Sequence, residues 1–195
     1  GELLVVHGTR NELQVYDPQG SLLRTAAGFS GPRDLAWNGS ELVFNAGSFL
    51  YALAAGSLPR IVGSGSATRL DARDGVVYAT GSSGLSRLTP GGTLQLLFSQ
   101  PGFVEPSGVA ARADGALSVA SLTTDRVLTV SQAGQVIASY AGINTLSGVA
   151  VDAQDNVYAV SDSGRQIVRI APDGVQSTVF ASGSMFDMLA FDASG

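Results

Sequence analysis

Short apolar runs, many of them alternating with polar residues, recur along this chain at a spacing of about 40 residues. The clearest copy runs from Ser147 to Gly183 as SGVAVDAQDN, VYAVSDSGRQ, IVRIAPDG and VQSTVFASG. Each piece reads as a short β-strand and ends in turn residues. Asp152-Ala-Gln-Asp-Asn156 supplies Asx side chains that bond nearby backbone, and Pro172-Asp173-Gly174 pairs a fixed φ with a residue that accepts positive φ. Four strands, a to d, therefore meander as one sheet.

The same phrase recurs upstream. Pro106-Ser-Gly-Val-Ala110 opens one copy, with turns at Ala113-Asp-Gly-Ala116 and Gln132-Ala-Gly-Gln135. Arg69-Leu-Asp-Ala-Arg-Asp-Gly75 opens another, and Gly31-Pro-Arg-Asp-Leu-Ala-Trp37 the one before it. The first copy lacks strand a and begins on strand b, Glu2-Leu-Leu-Val-Val6; Met188-Leu-Ala-Phe191 at the other end supplies a matching strand a. The pattern predicts an all-β fold: a single β-propeller of four-stranded antiparallel blades, five in number, closed by the C-terminal strand joining the N-terminal blade. Such closure covers sheet edges that would otherwise aggregate. Part of a six-bladed propeller is the alternative. The blades run 1–30 with 185–195, 31–65, 66–105, 106–146 and 147–184, all in one domain. A closed ring of this kind is expected to be monomeric.

Composition narrows the function classes. Of 195 residues 45% are hydrophobic and 14% charged, with 25 glycines, which suits a turn-rich β protein and excludes disorder. Cysteine is absent, so disulfides, thiolate metal sites and a cysteine nucleophile are excluded. A net charge of −5 argues against nucleic acid as a partner. No window reaches the roughly 18 apolar residues of a membrane-spanning helix. All 11 basic residues are arginine, read as GC-rich bacterial coding. The chain starts at Gly1 without methionine, which allows a removed leader; the expected location is extracytoplasmic.

The phrase Gly148-Val-Ala-Val-Asp152, Asp162-Ser-Gly164 and Ile170-Ala-Pro-Asp-Gly174 resembles the NHL repeat. Weaker copies cover nearly the whole chain. The repeat style is similar to that of gluconolactonase-like hydrolases and streptogramin lyase-like enzymes, and also to sensor, RNA-binding and protein-binding propellers. The resemblance thus implies architecture and leaves function open.

In such propellers the start of each strand a places a residue near the axis. By alignment these are Arg33, Ser66 or Ala67, Ser107, Ser147 and Asp187, the third being ambiguous because the strand around Arg69 aligns two ways. The b–c connections add His7, Thr9, Arg10, Asn45, Ser48, Ser82, Ser121, Thr124, Asp125, Ser161 and Asp162. The candidate binding set at the channel mouth is Arg33, Asp187, Ser107, Ser147, Asn45, His7, Glu105 and Arg69. Resemblance to the lactonases implies a divalent cation on several oxygen ligands. Asp187, Glu105 and Asn45 are the residues available for it, but Arg33 among them disfavours a cation. No catalytic residue, metal or cofactor is therefore expected.

Arg33 and Asp187 are expected to pair across the channel mouth, as a plug more than as a ligand anchor. A lone His7 makes no zinc cluster, and a packed or solvated role is expected for it. Thr124-Asp-Arg126 and Asp162-Ser-Gly-Arg165 resemble the loop of the NHL repeat, which implies that their aspartate and arginine brace adjacent blades. Trp37 is expected to face sheet packing. Acidic residues concentrate in the a–b and c–d turns, where aspartate suits hairpins, while Arg10, Arg33, Arg126, Arg165 and Arg69 fall on the opposite face. The leading expectation is a non-catalytic binding or scaffold propeller for a protein, peptide or carbohydrate. A lactonase-like or lyase-like enzyme and a minimal or engineered propeller without a ligand are the alternatives.

Overall fold

The computed structural model describes residues 2–101, 106–161, 165–182 and 188–191. Among these residues nineteen strands fall into five antiparallel sheets in chain order. Blade 1 is β1 (Leu3–His7), β2 (Glu12–Tyr16) and β3 (Leu22–Ala27). Blade 2 is β4 (Pro32–Trp37), β5 (Leu42–Ala46), β6 (Phe49–Leu53) and β7 (Arg60–Ser64). Blade 3 is β8 (Arg69–Arg73), β9 (Val76–Gly81), β10 (Gly84–Leu88) and β11 (Leu94–Phe98). Blade 4 is β12 (Pro106–Ala111), β13 (Leu117–Ser121), β14 (Arg126–Val130) and β15 (Val136–Ala141). Blade 5 is β16 (Leu146–Val151), β17 (Val157–Ser161), β18 (Gln166–Ile170) and β19 (Gln176–Ala181). Among the described residues no helix is long and apolar enough to cross a membrane.

Each seam from blade 1 to blade 5 holds its own apolar cluster, because inward strands present side chains to both faces. Leu13 of blade 1 packs on Leu42 and Phe44 of blade 2, and Val43 and Leu50 on Leu70 and Val77 of blade 3. Leu85 and Phe98 meet Leu117 and Val119, and Val127 and Ile143 meet Leu146 and Val168. Strands β5 and β13 are buried along their whole length, whereas β19 is exposed throughout.

Bulges recur at set places. The a–b pairs of blades 2, 4 and 5 and every c–d pair carry one, while the b–c pairs stay regular. A bulge adds local twist, so each blade turns between its inner and outer strands. In blade 3 the β8–β9 pair is regular, with Arg69 opposite Thr80, and this settles the register left open by the sequence. Its hairpin closes on Asp74-Gly75, both at positive φ, the type I′ geometry that a two-residue connection demands.

One expectation changes. Trp37 does not pack into a sheet interface: its side chain is 59% exposed at the end of β4. Residues 188–191 form no strand ladder and blade 1 has three strands among the described residues; the rest of the expected closing segment, 185–187 and 192–195, lies outside them. Met188 and Leu189 nevertheless line the axial cavity beside β8, β12 and β16, and Phe191 lies edge-on to Tyr158 of β17 at 4.8 Å.

Candidate functional site

The inner strands leave an axial cavity lined by Asp34, Arg69, Ser107, Gly108, Gly148 and Met188 among others. Its volume is about 20 Å³, room for about one water molecule. Small-molecule sites occupy ~300–1,000 Å³.

Of the residues expected at the axis, Arg69 and Ser107 line this cavity, and Ser107 Oγ is buried there without a hydrogen-bond partner. Ser147 is half-buried, and its neighbour Gly148 is the one that reaches the lining. Asp187, Glu105 and Asp162 lie outside the described residues. Arg33 is exposed, because the bulge between Pro32 and Leu35 turns it outward and Asp34 inward. Asp34 is absent from the set expected from the sequence. Its signal was present in the repeat: Asp34 aligns with Gly108 and Gly148, and a carboxylate replaces glycine at a packed position. A Cβ at Gly108 would lie 2.9 Å from Val149 N, so that position is crowded in blade 4.

Asp34 is 6% exposed and works as a clasp. Its Oδ1 accepts Leu35 N at 2.9 Å and its Oδ2 accepts Leu70 N, in the next blade, at 2.8 Å. Burial raises its pKa above the usual aspartate value, against the opposing pull of the Leu70 and Leu35 amides and the Arg69 charge. Asp71 repeats the device one blade on, accepting Ala111 N at 2.6 Å, and burial raises its pKa too.

Asn45, 2% exposed, bridges the same seam. Its Oδ1 accepts Asp34 N at 2.8 Å and its Nδ2 donates to Ala67 O at 2.5 Å. Both ends of the amide are thereby committed to backbone. Asp125 Oδ1 accepts Thr145 N at 2.7 Å, a brace from blade 4 to the start of blade 5.

His7 sits apart from the axial lining, on the face of blade 1 opposite Leu4 and Val6. Its Nε2 lies 2.9 Å from Gln14 Oε1, which also accepts the Tyr16 hydroxyl, and Gln14 Nε2 donates to Glu12. On the turn side of blade 5, Asp152 collects the Asn156 side chain and backbone, Gln154 N and the Tyr158 hydroxyl. Burial alone would raise the Asp152 pKa; these donors outweigh it and hold the pKa below the usual value. Burial and the neighbouring Asp152 carboxylate raise that of Tyr158. Among the described residues no three His, Asp or Glu side chains gather in a way that could hold a metal ion. Larger cavities lie along the blade seams, one of 620 Å³ between blades 2 and 3 and one of 310 Å³ between blades 1 and 2.

Five small antiparallel sheets around a narrow axis define a β-propeller. The fold is similar to that of a streptogramin B lyase, with a TM-score of 0.82 at 16% identity, covering 100% of this chain and 71% of that one. It is similar to virginiamycin B lyase from Staphylococcus aureus, with a TM-score of 0.77 at 13% identity, covering 94% of this chain and 67% of that one. A chain of a nidogen/laminin complex gives a TM-score of 0.77 at 14% identity, covering 98% and 84%. This chain thus spans about two thirds to five sixths of these neighbours. No protein-family model matches the sequence, and neither does any curated protein.

Proposed function

We propose that this chain is a non-catalytic binding or scaffold propeller for a protein, peptide or glycan. The observation that carries this reading is the commitment of two buried polar side chains near the axis, Asp34 and Asn45, to backbone partners. The Asp34 carboxylate and the Asn45 amide face backbone partners across the seam, and the cavity beside them is about 20 Å³. A general base or a hard-cation ligand needs lone pairs directed at a ligand. Here those lone pairs hold blades together.

The likeness to lyases is one of fold, and the nidogen/laminin neighbour is a propeller seen in a protein complex. The test is a lactone panel and a streptogramin B substrate, each assayed with calcium, manganese and zinc, beside thermal melts with the same ions. Neither turnover nor an ion-specific rise in midpoint is expected. Turnover, or a rise through linkage that is lost on substituting Asp187, Glu105 or Asn45, overturns the reading in favour of a metal-dependent enzyme.

A further inference from the structure

The fold does not require an indole at position 37. Its counterparts at the ends of the other inner strands are Arg73, Ala111 and Val151. Yet Trp37 is the most exposed aromatic side chain among the described residues, at 59%. An indole left in water forfeits the stabilisation that burying it would bring, and one flat face in a groove is a stacking surface.

Trp37 forms a wall of the 310 Å³ groove between blades 1 and 2, at the small end of the ~300–1,000 Å³ range of small-molecule sites. Leu4, Leu42 and Leu53 supply apolar lining. Glu2 and Arg24 supply the polar rim, with Arg24 Nη2 3.2 Å from Glu2 Oε2. On the other side of the same β4–β5 hairpin, Arg60 Nη2 lies 2.7 and 2.8 Å from the two oxygens of Glu41, in the wall of the neighbouring groove.

Both arginines are therefore neutralised by glutamates. An acid–guanidinium pair presents an acceptor and a donor side by side with no net charge. That arrangement matches a pair of hydroxyls, each both donor and acceptor, and gives a charged ligand no unpaired counter-charge. An exposed indole matches the C–H face of a sugar ring.

We propose that the seam between blades 1 and 2 binds a neutral, pyranose-containing glycan, stacked on Trp37 and hydrogen-bonded by the Glu2–Arg24 pair. This rests on the reading of the chain as a binding propeller and supplies that reading with a ligand class and a face.

The chain contains 1 tryptophan, so its emission reports this site. Titration with a panel of neutral oligosaccharides (gluco-, manno-, galacto- and xylo-configured) should produce a saturable change in emission with one of them, insensitive to salt. Calorimetry should show binding at least about tenfold weaker in Trp37→Ala and partly restored in Trp37→Phe. The melting temperature of Trp37→Ala should stay near wild type, because the side chain is exposed. Three results overturn the proposal: no change in emission with any neutral oligosaccharide, a response confined to anionic glycans or to apolar peptides, or full binding in Trp37→Ala. A saccharide bound elsewhere, leaving Trp37 emission unchanged, removes this site but keeps the binding-propeller reading. Cleavage of the glycan, seen as new reducing ends, removes that reading itself.

Discussion

The Asp34 carboxylate accepts the Leu70 amide at 2.8 Å, joining blade 2 to blade 3 through a side chain instead of a strand ladder. Between blades 2 and 3 strand pairing is reduced to one isolated bridge, Ser64 to Thr93, so most seam polar groups need such side-chain partners or remain unsatisfied. Asp34→Ala strands the buried Leu70 amide and should cost about 1–3 kcal/mol. Urea denaturation measures this; an unchanged midpoint would show that the clasp contributes nothing.

Asn45 supports the same seam from β5. Asn45→Ala removes partners from Asp34 N and Ala67 O together and should cost at least as much as Asp34→Ala. Because the two side chains share one network, the double variant should lose less than the sum of the singles, by roughly 0.5–3 kcal/mol. Strict additivity in a double-mutant cycle would contradict the shared network.

The aspartates divide in their effect on acid stability. Asp34 and Asp71 have raised folded-state pKa values, so the folded protein binds more protons than the unfolded chain above the ordinary aspartate value of 3.8. Their favourable contribution is complete below that value and is lost as pH rises through the folded pKa. Asp152 has a lowered pKa; its contribution is present above 3.8 and is lost as pH falls through its folded pKa. Melts from acid to neutral pH should show Asp152→Asn flattening the acid limb. Asp71→Asn should flatten the decline on the side above it. The reverse assignment of limbs would refute these signs.

Gly134 turns the c–d hairpin of blade 4 against blade 3. It has φ +77°, and an added Cβ would collide with the Leu97 carbonyl oxygen. Gly20 has a similar φ of +83° but open space around it. Gly20→Ala should therefore lose only the left-handed strain of about 1 kcal/mol. Gly134→Ala adds the displacement of β11 and should lose clearly more. Equal losses in chemical denaturation would mean that the blade 3–4 contact yields freely.

Much of the propeller was legible because its signals are local. Short apolar runs such as Val157-Tyr-Ala-Val160, turn residues such as Pro172-Asp173-Gly174, and a repeat near 40 residues depend on neighbours in sequence. Blade-bracing by Asp125 was legible through the resemblance of Thr124-Asp-Arg126 to the NHL loop, and Asp125 Oδ1 holds Thr145 N. The channel mouth was less so. Arg33 and Asp34 are adjacent, and one bulge decides which of them faces the axis; alignment alone counts residues without knowing where the ladder slips.

Trp37 illustrates the same division. Its place at the end of an inner strand was fixed by the pattern of the repeat, but its exposure depends on how far the neighbouring blade reaches at that height. Composition and period determined an all-β propeller of small sheets, because strand and turn formation are local. Tertiary structure decided which side chains close the axis, which brace the seams and which face water, because those outcomes depend on register between segments about 40 residues apart and on the twist that each bulge adds.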